Sequence, residues 1–257
     1  MSAPILRLEG LSKAFGAVQV IDDVSFDVPR GARMALIGPN GAGKTTIFNL
    51  MSGVYTPDTG RVIFDGEDIT GLPSRNRIGR GLARSFQNIR LMPHLSVVEN
   101  IMLGQQSQAG SLGAMSSPLG ARSKWRREAE SLLADMNVDT YRGEFVATLP
   151  YGIRKKIEVV RALAAKPKLL MLDEPAAGLN PSETAALRDF LVQVSETGIT
   201  ILIVEHDMSL VRSLCERAVV LNFGRLIYDG PTRDVQKDPQ VLEAYLGSRH
   251  AGEVTNA

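Results

Sequence analysis

Gly38-Pro39-Asn40-Gly41-Ala42-Gly43-Lys44-Thr45-Thr46 decides how the rest of the chain is read. It fits the pattern G-x-x-x-x-G-K-[ST]. The apolar run Met34–Ile37 leads into it as a buried strand, and a helix is expected from Lys44 through roughly Ser52. Glycines let the backbone curl so that successive N–H groups converge on phosphate oxygens, and the following helix presents its positive end at the same point. In that setting Lys44 neutralises the β- and γ-phosphates of a nucleotide and the Thr45 hydroxyl ligates Mg²⁺. A chance glycine turn before a helix is the bland alternative, and the strand–loop–helix context rejects it. The expected nucleotide contacts are therefore Gly38, Pro39, Asn40, Gly41, Ala42, Gly43, Lys44, Thr45 and Thr46.

Upstream of the loop, apolar residues alternate: Ile5, Leu6 and Leu8, then Val18, Val20 and Ile21, then Val24, Phe26 and Val28. Breaks at Gly10, Gly16, Asp22-Asp23 and Pro29-Arg30-Gly31 predict short antiparallel strands. Downstream, Gly60–Phe64 reads as a strand closed by a turn at Asp65-Gly66. From about Asn88 to Ala165 strand signals fade. Helices are expected over Ser96–Leu103, Ser123–Met136 and Ile153–Ala165, with Gln105–Ala121 a flexible loop rich in Gly, Ser, Ala and Gln. Beyond Pro167 strand and helix alternate again through Leu169–Leu172, Pro181–Glu196, Ile199–Val204, Ser209–Glu216 and Ala218–Leu221. Such alternation implies crossover connections and a parallel sheet. The tail after Gly247 is small and polar, and fraying is expected there.

Leu169-Leu170-Met171-Leu172-Asp173-Glu174 is an apolar strand ending in two carboxylates. Alone, it would read as an exposed strand-to-loop turn. Downstream of a phosphate loop, the first acid supports the metal, which assigns Asp173, and Glu174 is placed to orient or deprotonate the attacking water.

Bulk composition narrows the function classes. The 257 residues are 44% hydrophobic and 22% charged, as in an ordinary folded protein. Lysine plus arginine (29) nearly balances aspartate plus glutamate (28), so net charge offers no argument for nucleic acid or an anionic membrane surface. The single cysteine, Cys215, excludes an internal disulfide and fits a reducing compartment. The N-terminus MSAPILRLEG lacks the basic start and apolar stretch of a signal peptide. The longest apolar runs fall far short of the roughly 20 residues that span a bilayer. Work at a membrane would require a partner.

With these motifs in order, the chain from about Ile5 to Gly247 resembles the ATP-binding cassette subunits of ABC transporters. The resemblance implies an α/β fold: a P-loop NTPase core of ABC ATPase type with an antiparallel β subdomain and an inserted α-helical subdomain. Residues 1–250 would form one ABC ATPase domain, with 5–87 and 166–247 as core, about 88–165 as helical insertion and 248–257 as a flexible tail. Phe15 sits where the family stacks an aromatic ring on adenine; a core Phe at a turn is the equal alternative. Gln87, in Ser85-Phe86-Gln87-Asn88, matches the glutamine that touches the metal and attacking water. His206, in Val204-Glu205-His206-Asp207, matches the histidine at the γ-phosphate, although a lone His after a strand is ordinarily structural. The implied set is catalytic Glu174, His206, Gln87 and Lys44, with Thr45, Gln87 and Asp173 at the metal.

Where many members read L-S-G-G-Q, this chain has Leu149-Pro150-Tyr151-Gly152-Ile153. In the family this segment closes over the partner subunit's ATP, which implies contacts in trans from Tyr151 and Gly152. Pro150 has neither hydroxyl nor N–H, so a serine contact cannot be reproduced. The basic first turn Arg154-Lys155-Lys156 is unfavourable at a helix N-terminus unless an anion approaches. Ala176-Ala177-Gly178-Leu179-Asn180-Pro181 occupies the place of a dimer-contacting loop, and it is equally a helix cap.

The run Leu172–Pro181, the polar loop before Trp125 and the ending Gly230-Pro231 through Ala244-Tyr245-Leu246-Gly247 resemble the subgroup that energises importers of branched-chain amino acids, closest to the larger of their two ATPases. That resemblance implies ATP and Mg²⁺ as cofactors. It also implies transmembrane permease partners, a second ABC ATPase subunit (homo- or heterodimer), and indirectly a periplasmic solute-binding protein. The expected location is the cytoplasmic face of the inner membrane, held through the permeases. Ile89, Leu91 and Met92 either line a groove for a permease helix or pack inside the helical subdomain. Rival readings are urea or amide import, lipid or lipopolysaccharide export, a soluble ABC ATPase of DNA repair or translation, and an inactive scaffold. The absence of basic–aromatic clusters argues against nucleic acid, and the presence of Lys44, Asp173, Glu174 and His206 argues against the scaffold.

Overall fold

The computed structural model describes residues 3–85, 89–105 and 118–245. In chain order these form β1 (Leu6–Phe15), β2 (Val18–Val28), β3 (Arg33–Ile37), α1 (Lys44–Met51), β4 (Thr59–Phe64), β5 (Glu67–Asp68), α2 (Ser74–Ile78), β6 (Leu82–Arg84) and α3 (Val97–Gln105). There follow α4 (Pro118–Asp135), α5 (Tyr151–Leu163), β7 (Leu169–Asp173), α6 (Pro181–Glu196), β8 (Thr200–Val204), α7 (Met208–Leu214), β9 (Arg217–Asn222) and β10 (Arg225–Pro231). Two compact units result: Met1–Ser74 with Thr200–Ala257, and Arg75–Ile199.

In the first unit β2-β1-β4-β5 form an antiparallel sheet. Leu6, Leu8 and Leu11 of β1 and Ile21, Val24, Phe26 and Val28 of β2 are buried. The expected breaks at Gly10 and Asp22-Asp23 are bulges within continuous strands. Gly10 (φ 57°) and Asp23 (φ 53°) adopt left-handed backbone where the β1–β2 register shifts. The turn at Asp65-Gly66 forms as expected, with φ of 51° and 83° between the paired Phe64 and Glu67.

The same unit contains a second, largely parallel assembly. β3 lies between β8 and β9, parallel to both, and β10 returns antiparallel to β9. Met34, Ala35, Leu36 and Ile37 have no exposed surface, as befits a strand covered on both faces. Pairing of Leu36 with Val204 and of Ile37 with Val220 brings the C-terminal ends of three strands to the edge from which Gly38 departs.

The second unit pairs β6 with β7 in parallel and packs α3 against α4 and α5. Val97, Val98 and Ile101 of α3, Leu133 of α4 and Ile157 and Val160 of α5 form its helical core. At Gly104 the helices approach so closely that a Cβ would stand 2.2 Å from the Arg161 carbonyl oxygen. The expected helix Ser123–Met136 begins five residues earlier, at Pro118. Proline is tolerated in a first turn, where its missing N–H has no intrahelical partner. The expected loop Gln105–Ala121 therefore gives Gln105 to α3 and ends before Pro118; residues 106–117 and the tail 248–257 lie outside the described residues. Among the described residues no helix is long and apolar enough to cross a membrane.

α6 starts on a full capping box. The Asn180 side chain accepts from the Glu183 N–H (2.9 Å), and the Glu183 carboxylate accepts from the Asn180 N–H (3.0 Å), with Pro181 at the first helical position. Asn180→Ala should lower stability by about 1 kcal/mol, whereas Asn180→Asp keeps the cap and should change it by only a few tenths. Denaturant midpoints of the three proteins check this; equal midpoints would contradict the cap's role.

Candidate active site

The loop between β3 and α1 is shaped by close approach. Gly38 (φ 151°) has the Leu221 carbonyl oxygen 2.2 Å from where a Cβ would sit. Gly43 (φ 99°) would place its Cβ 2.6 Å from Ile21 Cδ1 and 3.1 Å from the Val20 oxygen. Any side chain at either position would have to displace backbone or strand. The β9–β10 turn secures the middle of the loop, its Gly224 N–H donating to the Ala42 carbonyl (3.0 Å). Lys44 is 9% exposed, and its Nζ donates to the carbonyls of Gly38 (2.8 Å) and Pro39 (2.9 Å). The ammonium is thereby centred on the loop, beside Gly43 at the N-terminus of α1. Thr45 is exposed in the first turn of that helix and Thr46 half-buried.

Sequence reading did not anticipate a role for Tyr245. Its phenol hydrogen-bonds to the Gly38 backbone, and burial pushes its pKa upward. A chain segment near the C-terminus thus rests on the first residue of the loop. Burial pushes the Cys215 thiol far above its usual range.

At the end of β1 stands Phe15, 42% exposed, and so not the core phenylalanine of the alternative reading. Its ring meets Tyr55 edge to face at 5.2 Å and 70°, with Lys13 Nζ 5.7 Å from its centroid. Phe15 pairs with Val18 across the hairpin turn, and β2 reaches Gly43 at Val20. Two residues of strand span roughly 7 Å, a distance on the scale of a nucleotide.

His206 follows β8 by two residues, on the same strand edge as Gly38. Its side chain is 66% exposed, while the neighbouring Glu205 is buried and accepts from the His206 N–H (3.2 Å). The Glu205 carboxylate lies 3.9 Å from His206 Nδ1.

In the second unit Asp173 ends β7, 7% exposed, and pairs with Arg84 at the end of β6 (Nη2 to Oδ2, 2.8 Å). Sequence reading missed Arg84 because its partner lies 89 residues away. Glu174 follows in left-handed backbone (φ 46°), a conformation costing of order 1–3 kcal/mol for a residue with a Cβ. It re-aims the chain between the two carboxylates, whose side chains would alternate in a continued strand.

The Leu149–Ile153 segment caps α5 through Pro150 (φ −54°, ψ 149°), which offers no side-chain hydrogen bond. A Cβ on Gly152 would meet Glu183 Oε1 at 3.0 Å, and one on Gly178 would meet the Tyr151 ring at 3.3 Å. Tyr151 and Gly152 are thus fitted to the loop after Glu174 within the chain. The Arg154 and Lys155 cations lie 5.5 and 5.7 Å from the Tyr151 ring. Of the expected groove residues, Leu91 is buried, Ile89 half-buried and Met92 50% exposed. Arg84, Ser85, Leu103, Gly104, Glu158 and Arg161 line an open cavity in this unit. Gln87 lies outside the described residues.

The curled glycine loop, its buried lysine and the helix it opens define a phosphate-loop nucleotide-binding protein. Residues 21–177 match the ABC transporter family, and residues 225–251 match the branched-chain amino acid ATP-binding cassette transporter family. The chain is 39% identical over 255 residues to the high-affinity branched-chain amino acid transport ATP-binding protein BraF of Pseudomonas aeruginosa, covering 96% of this chain and 99% of the relative. It is 34% identical over 245 residues to the lipopolysaccharide export system ATP-binding protein LptB of Haemophilus influenzae, covering 95% and 98%. A solved ATP-binding cassette of an ABC transporter, in its ADP conformation, superposes with a TM-score of 0.85 at 30% identity, over 96% of this chain and all of the other. This chain belongs to the ABC transporter family and is one of its ATP-hydrolysing cassettes.

Arg84→Ala would leave the Asp173 carboxylate buried without its guanidinium. It should cost about 3 kcal/mol, since removing one partner of a buried pair strands the other charge. Denaturant unfolding checks this, and an unchanged midpoint would show that the pair contributes nothing.

Proposed function

We propose that this chain is the ATPase subunit that drives an importer of branched-chain or related amino acids. The observation that carries the reading is the match of residues 225–251 to the branched-chain amino acid cassette family, beside full-length likeness to BraF. Export of lipopolysaccharide is the second reading, favoured by the likeness to LptB. Its match has the lower identity, 34% against 39%. Residues 1–250 then act as one cassette, with 5–87 and 166–247 as core and about 88–165 as the helical part.

In the proposed mechanism the backbone N–H groups of Gly38–Thr46 cradle the triphosphate and Lys44 neutralises its β- and γ-oxygens. Phe15 stacks on adenine. Mg²⁺, when bound, would supply positive charge against the negative charge that develops on the transferred phosphate. Thr45, Asp173 and Gln87 would hold it. This donor set suits Mg²⁺, which relies on substrate phosphates and water, and no group of three His, Cys, Asp or Glu able to hold an ion exists among the described residues. Glu174 orients the attacking water and takes its proton as the bond from the γ-phosphorus to the bridging oxygen breaks, releasing ADP and phosphate. His206 contacts the γ-phosphate.

A second cassette closes head to tail on this one. Its ATP meets Tyr151 and Gly152, and the positive end of α5 receives the phosphate. The cavity beside Arg84, Ser85 and Glu158 receives a permease helix, which keeps the subunit peripheral on the cytoplasmic face of the membrane. A periplasmic binding protein and the permeases select the solute.

In membrane vesicles carrying the assembled transporter, wild-type protein should support ATP-dependent uptake of labelled leucine, isoleucine or valine. Glu174→Gln should retain ATP binding and lose at least about 100-fold in turnover, as expected when a catalytic base is removed. Wild-type turnover in that variant would refute the assigned base. Transport of lipopolysaccharide without amino-acid uptake would refute the cargo.

A further inference from the structure

α1 begins at the phosphate loop, and the segment that leaves its other end returns to the base end of the site. After Met51, the N–H groups of Val54 and Tyr55 both donate to the Asn49 carbonyl (2.9 and 3.2 Å), fixing this segment to the last turn of the helix. Three residues after Tyr55, Asp58 is fastened to β1. Its N–H donates to the Ser12 carbonyl (2.9 Å), its Oδ2 accepts from the Ala14 N–H (2.7 Å) and its Oδ1 pairs with Lys13 Nζ (2.6 Å). Residues 12 to 14 are thus held on main chain and side chain immediately before Phe15.

Between these anchors Tyr55 places its ring 5.2 Å from that of Phe15, at 70°. Tyr55 remains 38% exposed and Phe15 42%, so neither ring is there to fill the core. An edge-to-face pair is directional and fixes the orientation of each ring relative to the other. The Lys13 ammonium, itself held by Asp58, makes a second contact to the same ring at 5.7 Å.

We propose that Tyr55 is a positioning residue for nucleotide recognition. Carried on the segment Ser52–Asp58, it fixes the Phe15 ring in the orientation that stacks on a purine base and ties that ring to α1, the helix that carries Lys44. The inference rests on the reading of Phe15 as the base-stacking residue. Its consequence is that affinity for the base, as distinct from affinity for the phosphates, depends on a tyrosine outside the phosphate loop and the stacking position.

The test compares Mg²⁺-dependent binding of ATP and of inorganic tripolyphosphate, by calorimetry, to the full-length wild type and to Tyr55→Ala, Tyr55→Phe and Phe15→Ala. Tyr55→Ala should weaken ATP binding by about 3- to 10-fold, the worth of one aromatic pair, and change tripolyphosphate binding by less than about twofold. Tyr55→Phe keeps the ring and should restore ATP binding to within about twofold of wild type. Phe15→Ala should lose at least as much ATP affinity as Tyr55→Ala. Wild-type ATP affinity in Tyr55→Ala, with a loss in Phe15→Ala, would overturn the inference and leave the Phe15 reading standing. Wild-type affinity in Phe15→Ala would remove the Phe15 reading itself. Equal losses for ATP and tripolyphosphate in Tyr55→Ala would show that Tyr55 acts on the phosphate loop, which also overturns the inference.

Discussion

The site depends on a backbone that leaves no room for side chains. Between β3 and α1 the chain turns at Gly38 and Gly43 with the Leu221 carbonyl, Val20 and Ile21 packed against it. Lys44 reaches back to two carbonyls of the same loop. The lysine charge therefore moves with the loop, and the convergence of N–H groups that an anion needs is built into the packing. Three separate parts of the first unit converge there: β2 beneath Gly43, the β9–β10 turn on Ala42 and Tyr245 on Gly38. A loop held from three directions is preorganised, because it cannot relax without disturbing Ile21 and Leu221, which have no exposed surface.

The second unit applies a similar economy to its acids. Asp173 is held by Arg84 across the paired ends of β7 and β6, and the left-handed backbone of Glu174 ends the strand at the second carboxylate. The same left-handed step starts the turn that leads to the Asn180–Glu183 cap, and the Glu183 carboxylate packs tightly against Gly152. Pro150 and Asn180, which depart from the commoner family residues, are thus accommodated structurally. Asn180 caps α6, and Pro150 supplies the extended φ and ψ that enter α5 without contributing a hydrogen bond of its own.

Much of this was legible in the sequence because the signals were local. The phosphate loop is a contiguous pattern, and downstream of it the short apolar run Leu169–Leu172 before Asp173 reads as a covered strand. What escaped reading depends on distant partners. Arg84 acquires meaning only through Asp173, and Tyr55 only through Phe15. β10 was missed because its residues are mostly half-exposed without alternation, and because the turn before it uses Phe223 (φ 44°), where Asn or Gly is usual. Gly10 and Asp23 look like breaks in the sequence because Gly and Asp favour turns, and a β-bulge uses the same left-handed backbone. Whether an aromatic such as Phe15 is core or surface is a matter of packing, and only coordinates decide it.

In the proposed mechanism the buried Lys44 ammonium, fixed by the Gly38 and Pro39 carbonyls, is the electrostatic anchor for the triphosphate. Equilibrium titration of ATP with Mg²⁺ into wild type and Lys44→Ala, matched for thermal stability, tests it most directly. A loss of at least about 100-fold in affinity, in the range for removing a charged partner from a buried ionic contact, is the predicted result. Equal affinity in the two proteins would contradict the account.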